Sequence, residues 1–296
     1  MKRLTCLTLL ALAGCGGPDT GKITLMLTDA PGDFKAAVVT ITEINLVGSH
    51  GVTTLSNTKV TTNLLTLSNQ VSTLVKDAVV SSGKYTELRF VISGGYIEVA
   101  NIGGGSTIFA SSPTYEGLPP GATVGGTLQM PSFGTSGLKV DLPGGNVTVG
   151  TDSKVLLVDF DVQQSFGHDA GSSGSWVMHP VITATDFELS GNLNVTLKLG
   201  PGVTLPSALT LGSFDAVLIN SGGSAKSLQL TATTSGSSTF GATFKYLIPG
   251  AYSVSFALDP SVVGTVSIST SPSVPAPVTV SSGAATQADF TITSAQ

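Results

Sequence analysis

Charged residues are scarce in this 296-residue sequence, because Asp, Glu, Lys and Arg together make up only 10% of it. The formal net charge is −5, and no basic patch is present to bind phosphates, which excludes nucleic acid as a partner. Aromatic residues make up 6% of the chain. The two cysteines, Cys6 and Cys15, both lie near the N-terminus, so the rest of the chain must fold without disulfides. Beyond these first residues, no apolar run is long enough for a transmembrane helix.

Glycine, threonine and valine are abundant instead, and this composition is typical of β-strands joined by tight turns. Apolar and polar residues alternate in many short segments, such as NLNVTLKL at residues 192–199, where Leu193, Val195, Leu197 and Leu199 are predicted to face inward. Strands are also predicted at NLLTL, residues 63–67, and at STIFA, residues 106–110. We therefore expect an all-β fold of two antiparallel β-sandwich domains, immunoglobulin-like or transthyretin-like, with at most one short helix. That helix is predicted at residues 67–80, LSNQVSTLVKDAVV, where apolar residues recur at helical spacing.

The N-terminus has the features of an export signal. Lys2 and Arg3 precede an apolar stretch of about eleven residues, which is too short to span a bilayer. The stretch ends in LAGC, which resembles the bacterial lipobox. That resemblance implies cleavage after residue 14 and attachment of lipid to Cys15, whereas an ordinary signal peptide with a chance cysteine is the alternative. We expect a signal peptide at 1–14, a lipidated tether at 15–21, and a location on the bacterial cell envelope. The outer membrane is favoured if the host is Gram-negative.

Two domains are predicted after the tether, at residues 22–189 and 190–296. The first contains LTDAPGDF, SSGKYTELRFVI, LLVDFDVQQSF and HPVI, and over about residues 22–188 it resembles a bacterial family known as a domain of unknown function, DUF4382. That family carries no established activity. The second contains YLIPGAYSVSF and VTVSSGAATQADFTI, and it resembles the transthyretin-like regulatory sandwiches of carboxypeptidases. This resemblance implies an accessory module without catalytic groups.

Four aspartates are the candidate site residues. Asp29 and Asp33 flank Pro31 and Gly32, while Asp159 and Asp161 share one face of a predicted strand. Carboxylate oxygens are preferred calcium ligands, so the four together could hold calcium, the one cofactor considered. In the alternative interpretation, Asp29 and Asp33 hydrogen-bond turn amides, and the other two lie at the exposed end of their strand.

Catalytic motifs are missing from the sequence, since no G-x-S-x-G or H-E-x-x-H occurs. Asp159 and Glu43 could form a glycosidase-like acid pair. Trp176, Tyr115 and Tyr96 could form a surface on which sugars stack. The sequence favours a non-enzymatic, envelope-anchored lipoprotein that acts as a binding or structural and adhesion module, attached to the membrane by its lipid. Its partner would be a glycan or an envelope protein. The alternatives are a polysaccharide-active enzyme and a calcium-dependent carbohydrate-binding protein.

Overall fold

The computed structural model of the chain describes residues 19–30, 34–49, 51–101, 103–131, 133–134, 136–166, 174–206 and 209–296. The predicted signal peptide, Cys15 and Asp33 lie outside these ranges, as does the predicted turn at Pro31 and Gly32. Within the ranges the protein is an all-β fold of β-sandwich type, as predicted. None of the helices in these ranges has the length and apolar character needed to cross a membrane.

The N-terminal region, residues 19–189, contains two sheets. Its strands are β1 (Thr20–Ala30), β2 (Ala36–Gly48), β3 (Gly51–Ser56), β4 (Val60–Asn63), β5 (Ser72–Ser81), β6 (Gly83–Ala100), β7 (Ser106–Ala110), β8 (Val124–Gln129), β9 (Leu138–Val140), β10 (Val147–Val149), β11 (Ser153–Asp161), β12 (Ser175–Val177) and β13 (Ile182–Asp186). The smaller sheet has the order β13-β11-β1-β5. The larger sheet has the order β12-β8-β7-β6-β2-β3, with β4 paired to β2 and with β9 and β10 paired to β6. A single turn of helix, α1 (Val162–Phe166), follows β11.

The C-terminal region, residues 190–296, has two further sheets. Its strands are β14 (Gly191–Leu199), β15 (Phe214–Asn220), β16 (Ala225–Gln229), β17 (Thr231–Ala232), β18 (Thr239–Leu247), β19 (Gly250–Leu258), β20 (Ile268–Ser271), β21 (Ala276–Val280) and β22 (Ala285–Ala295). One sheet has the order β17-β18-β14-β22-β20, and the other has the order β16-β15-β19-β21.

Each region has its own hydrophobic core, and the alternation of the strands explains both. In β1, Ile23, Leu25 and Leu27 are fully buried, because every second side chain of a strand points to the same face. In β14, Leu193 and Leu197 enter the second core in the same way.

Both regions depart from purely antiparallel pairing. β1 pairs with β11 in parallel, and β14 pairs in parallel with β22. In each region the first strand thus lies inside a sheet, next to a strand that comes much later in the sequence. Alternation within one strand carries no information about the direction of its neighbour, so this pairing was not predictable from the pattern.

The helix predicted at residues 67–80 is wrong. Most of this segment is β5, and its apolar spacing is irregular because of a β-bulge at Asp77, whose φ is 51°. The extra residue lets Val75 and Val80, which are five positions apart, both face the core. The Thr24 hydroxyl stabilises the bulge by accepting the Asp77 amide hydrogen at 3.1 Å. β5 is an edge strand of its sheet, and it exposes Lys76 and Asp77.

Two smaller predictions are also corrected. Residues 63–67, NLLTL, were predicted as a strand, but Leu64–Leu67 form a short 3-10 helix. Asn63 caps this helix, since its side-chain oxygen accepts the Leu65 amide hydrogen. Leu199 was predicted to face inward, but it is 37% exposed because it is the last residue of β14.

Candidate functional site: the acidic seam between the two regions

Polar and charged side chains of both regions meet where the ends of β1 and β11 approach the loop between β15 and β16. The N-terminal region contributes three carboxyl groups, and the C-terminal region contributes an amide, a hydroxyl and an ammonium group. We call this set the acidic seam: Asp29, Asp159, Asp161, Asn220, Ser224 and Lys226. Among the predicted site residues, the structure therefore brings together three of the four aspartates.

Asp161 is the most fully bonded residue of the acidic seam. It ends β11 and precedes α1, and its Oδ1 accepts the backbone N–H of Gln164 at 2.9 Å, as an N-cap residue does. The Gln164 side chain donates to Oδ2 at 2.8 Å. From the other region, Ser224 donates its hydroxyl to both oxygens at 2.7 and 2.8 Å, and the Asn220 amide donates to Oδ2 at 3.0 Å. A buried carboxylate with this many donors is stabilised in its charged form.

The loop between β15 and β16, Asn220-Ser-Gly-Gly-Ser224, is shaped to present these donors. The Asn220 side-chain oxygen accepts the backbone N–H groups of Gly222 and Ser224 at 3.0 and 2.9 Å, which fixes a tight turn. Gly222 has no space for a side chain, because an added Cβ would lie 2.1 Å from Nε2 of Gln164. The sequence of this loop thus allows the two backbones to come close enough for the hydrogen bonds of Asp161.

Lys226 supplies the positive charge of the acidic seam. It lies on β16 opposite Leu218, and it is only 6% exposed. Its Nζ donates to the backbone oxygen of Asp29 at 3.4 Å. Burial lowers the pKa of the Lys226 ammonium, while the charges of Asp159 and Asp29 act to raise it. A lysine this deeply buried is rare unless carboxylates surround it.

Asp29 is in the least favourable environment for a charge. It is 1% exposed, and neither of its carboxyl oxygens has a hydrogen-bond partner within the described part of the chain. Burial raises the pKa of Asp29 well above its usual value, and the charge of Asp159 raises it further. Lys226 and the backbone N–H of Val162 oppose this shift only partly.

Two tyrosines of the C-terminal region complete the contact. Tyr252 donates its hydroxyl to the backbone oxygen of Ile248 at 2.8 Å, and burial together with Asp159 and Asp161 raises the pKa of the Tyr252 phenol. Tyr246 has a φ of 58°, which is unusual for a large side chain, and it stacks on Phe187 with ring centroids 5.9 Å apart. Strained backbone of this kind is found where the surrounding structure holds it in place.

A third polar contact joins the regions beside the acidic seam. The side chain of Asn69 donates to the backbone oxygen of Thr243 at 2.9 Å and accepts the backbone N–H of Lys245. Asn69 itself has a φ of 60°, which asparagine tolerates better than most residues. The 3-10 helix and the segment after it are thereby attached to β18.

Two spaces adjoin the acidic seam. A small cavity of about 30 Å³ is lined by Asp29, Asp159 and Lys226 together with uncharged residues of both regions. It is large enough for a water molecule. A more open groove of about 310 Å³ lies beside it and is lined by Asp159, Asp161 and the turn at Ser221 and Gly222.

The structure corrects the alternative interpretation of the aspartates. Asp29 is not a turn residue that bonds amides, because it lies within β1 and is buried. Asp161 does not lie at an exposed strand end, since it is 5% exposed and bonded across the seam. The calcium site stays a prediction because Asp33 is outside the described ranges. In those ranges, no three His, Cys, Asp or Glu side chains are grouped closely enough to hold a metal ion.

The aromatic residues predicted as a sugar-stacking surface do not form one surface. Trp176 packs between Phe34 and Phe109, with ring centroids 5.9 and 5.8 Å away, against the main N-terminal core. Tyr96 and Tyr115 pack on each other in a separate small cluster, 6.4 Å apart.

The suggested acid pair of Asp159 and Glu43 is also divided between two sheets. Glu43 lies on β2 in the larger sheet, where it accepts a hydrogen bond from Asn45 at 2.6 Å. Asp159 lies on β11 in the smaller sheet.

Sequence reasoning missed the half of the acidic seam that the C-terminal region contributes. The sequence analysis assigned no site role to Lys226, Asn220 or Ser224. One signal was present. Lys226 pairs across the strands with buried Leu218, so it occupies a position where an apolar residue is expected. Asp29 is 197 residues away from Lys226 in the sequence and Asp159 is 67 residues away, so no local pattern connects them.

Comparison with solved structures shows only weak likeness. A leucine-rich repeat protein from Bacteroides thetaiotaomicron has 11% identity and a TM-score of 0.21, over 92% of this chain and 26% of the other. The TIE protein of Bacillus anthracis has 10% identity and a TM-score of 0.22, over 92% and 34%. BcpA, the major pilin subunit of Bacillus cereus, has 10% identity and a TM-score of 0.24, over 93% and 70%. The chain thus spans about a quarter and about a third of the length of the first two proteins. At TM-scores this low, the likeness says nothing about function.

No curated protein matches the sequence. A family model does match it, over residues 20–180, and the family is described as a domain of unknown function, DUF4382. The match covers more than half of the chain and includes Asp29, Asp159 and Asp161, the N-terminal half of the acidic seam. The chain therefore belongs to the DUF4382 family.

Proposed function

We propose that this protein is a lipid-anchored bacterial envelope protein that acts as a non-catalytic binding or structural module. The observation that carries the proposal is the acidic seam. Most of its polar side chains are buried, and they hold the two β-sandwich regions together. The two regions would therefore move as one rigid unit on the envelope. The ligand of such a module would be a glycan or an envelope protein.

The acidic seam supports a structural role because its carboxyl groups are engaged within the protein. A catalytic acid or base must reach the proton that it transfers in a bound substrate. Asp29 and Asp161 are 1% and 5% exposed, and Asp161 is held by donors from both regions. These two carboxyl groups therefore favour cohesion of the fold over chemistry on a substrate.

The anchor is supported by the sequence around Cys15 and by the start of the fold. β1 begins at Thr20, only five residues after Cys15, so lipid on that cysteine would hold the first strand close to the membrane. Asp29 lies nine residues further along β1, about 30 Å away at the rise of a β-strand. The acidic seam would therefore lie well away from the lipid surface. We place the protein on the outer membrane where the host has one.

Replacement of Cys15 tests the anchor. We expect Cys15→Ala to release the protein from the membrane fraction, because a single thiol carries the lipid. Cys6→Ala is the matched control, since Cys6 lies in the segment predicted to be removed. Cell fractionation and mass spectrometry of the mature N-terminus give the result. Membrane retention of Cys15→Ala, or an unmodified thiol at residue 15, would show that the anchor is wrong.

The groove beside the acidic seam favours a second candidate, a polysaccharide-active or calcium-dependent carbohydrate-binding protein. Its walls carry carboxylate, amide and hydroxyl groups, which are the groups that bind sugar hydroxyls or calcium. Incubation with cell-wall and plant polysaccharides separates the candidates: released oligosaccharides indicate an enzyme, and retention on the polysaccharide without products indicates binding. Thermal unfolding with millimolar calcium and with a chelator tests the calcium site, which predicts a higher melting temperature with calcium.

A further inference from the structure

The acidic seam contains more negative than positive charge. Among the described residues that line this contact, Asp29, Asp159 and Asp161 lie near one ammonium group, that of Lys226, and the other titratable side chains are the phenols of Tyr246 and Tyr252. With every carboxyl ionised, the six side chains of the acidic seam would carry a net charge of −2 in a largely buried place. Uncompensated buried charge is costly, and a group in such a place gives up its charge by binding or releasing a proton.

Asp29 is the carboxyl that would lose its charge. The charge of Asp161 is stabilised by four donor groups: the backbone N–H and side-chain amide of Gln164, the Asn220 amide and the Ser224 hydroxyl. No side chain in the described part of the chain donates to Asp29, and among backbone groups there only the N–H of Val162 lies near enough to lower its pKa. Asp29 is also the more deeply buried of the two. A protonated carboxyl would also gain an O–H donor, which the cavity of about 30 Å³ beside Asp29 could satisfy through a water molecule.

We propose that the two regions dock with a proton bound to Asp29, so that the acidic seam is a proton-dependent joint between them. The cavity is lined by residues of both regions, including Leu218 and Lys226 of the C-terminal region. Separation of the regions would therefore expose Asp29 to water, and an exposed aspartate is ionised at neutral pH. Docking takes up the proton, and undocking releases it. This inference does not depend on the lipid anchor.

The direction of the pH effect follows from linkage. Asp29 has a raised pKa in the docked protein and an ordinary pKa, near 4, when it is exposed. Between these two values the docked state binds more protons, so its stability falls as pH rises. The joint is therefore tightest on the acidic side of this interval, and it loosens as the pH approaches the raised pKa of Asp29. The lowered pKa of Lys226 acts in the opposite direction, because the docked lysine binds fewer protons than an exposed lysine does, and this makes stability rise with pH.

Thermal unfolding of the full chain from about pH 5 to pH 9 tests the proposal. We expect the wild-type stability to fall with pH by a slope that corresponds to about one proton. Asp29→Asn keeps the shape of the side chain without the charge and should remove that slope. Asp215→Asn is the matched control. Asp215 is also a buried carboxyl whose pKa is raised by burial, but it lies on β15 facing Asp259, away from the acidic seam.

Two further measurements connect the proton to docking. Infrared spectra at neutral pH should contain a protonated-carboxyl band that Asp29→Asn removes and Asp215→Asn retains.

Leu218→Cys places a thiol beside the cavity, and Leu197→Cys places one in the C-terminal core. The ratio of their labelling rates should rise with pH, and it should stay constant when each is combined with Asp29→Asn.

The proposal is overturned if Asp29→Asn leaves the pH slope of the wild-type protein unchanged. It is equally overturned if wild-type protein has no protonated-carboxyl band at neutral pH. The absence of this band is measured on the wild-type protein, so it would overturn the proposal even if Asp29→Asn does not fold.

Discussion

The two regions share a strand arrangement and a tyrosine motif, but the motif has different surroundings in each region. In each region the first strand lies inside a sheet and pairs in parallel with a late strand, β11 or β22. Each also has a tyrosine corner two residues after a glycine: Tyr85 donates its hydroxyl to Ser81 at 2.7 Å, and Tyr252 donates to Ile248 at 2.8 Å.

The difference lies in what the two corners face. Tyr85 is 2% exposed and belongs to the main core of the N-terminal region. Tyr252 lines the cavity between the regions, next to Asp159 and Lys226. The same local motif thus closes a core in one sandwich and forms part of an interface in the other. Tyr252 also packs against the core of its own region, so the C-terminal corner serves both that core and the contact between the regions.

Loss of Asp161 should have the largest effect on this arrangement. Asp161→Ala leaves the donors of Ser224 and Asn220 buried without an acceptor and frees the C-terminal region from β11. We expect a loss of about 3–5 kcal/mol in the free energy of unfolding. Calorimetry should then resolve two transitions in place of one.

The control for this change is Asp186→Ala. Asp186 forms a partly exposed ion pair with Lys154 at 2.9 Å, and such pairs contribute less than about 1 kcal/mol. Equal losses in the two variants would mean that Asp161 does not hold the regions together.

A medium effect is expected from Gly222→Ala. The new Cβ would force the Gln164 side chain away and so break its 2.8 Å hydrogen bond to Asp161. A hydrogen bond to a charged group contributes about 1.5–3 kcal/mol, so we expect a loss in this range or slightly below it because Gln164 can move. Gly250→Ala serves as control, since a Cβ at Gly250 would meet no atom within 4 Å. Urea denaturation of both variants gives the comparison, and equal stabilities would contradict the close approach at Gly222.

The two tyrosine corners give the smallest predicted effects and the most direct comparison. Tyr85→Phe and Tyr252→Phe each remove one hydrogen bond to a backbone oxygen, which should reduce stability by about 1 kcal/mol. Hydrogen exchange should place the loss from Tyr85→Phe in the N-terminal sheets and the loss from Tyr252→Phe at the contact between the regions. If both variants affect the same amides, the two corners do not differ in role.

Regular strands were predictable from the sequence wherever alternation is unbroken. β7, for example, coincides with the predicted STIFA segment. β5 was not predictable, because the bulge at Asp77 interrupts the period of two and leaves a spacing that resembles a helix. The parallel pairings could not be predicted either, since they depend on partners more than ninety residues away.

Half of the candidate site followed from the sequence. Asp159 and Asp161 were grouped correctly because residues two apart on a strand share a face. Their convergence with Asp29 was proposed only through a calcium ion. In the structure, a lysine from the other region lies beside these carboxyl groups. Burial and pairing of charges are properties of the folded chain, so the exposed position expected for Asp161 was wrong.

The bulged edge strand β5 has a consequence for crowding. An exposed, regular edge strand invites neighbouring copies to join their sheets and aggregate, and the proposed lipid anchor would increase that risk by concentrating copies on a membrane. The kink at Asp77 and the charges of Lys76 and Asp77 make β5 a poor template for such pairing. Copies of this protein could therefore be packed at high density without pairing their sheets through this edge.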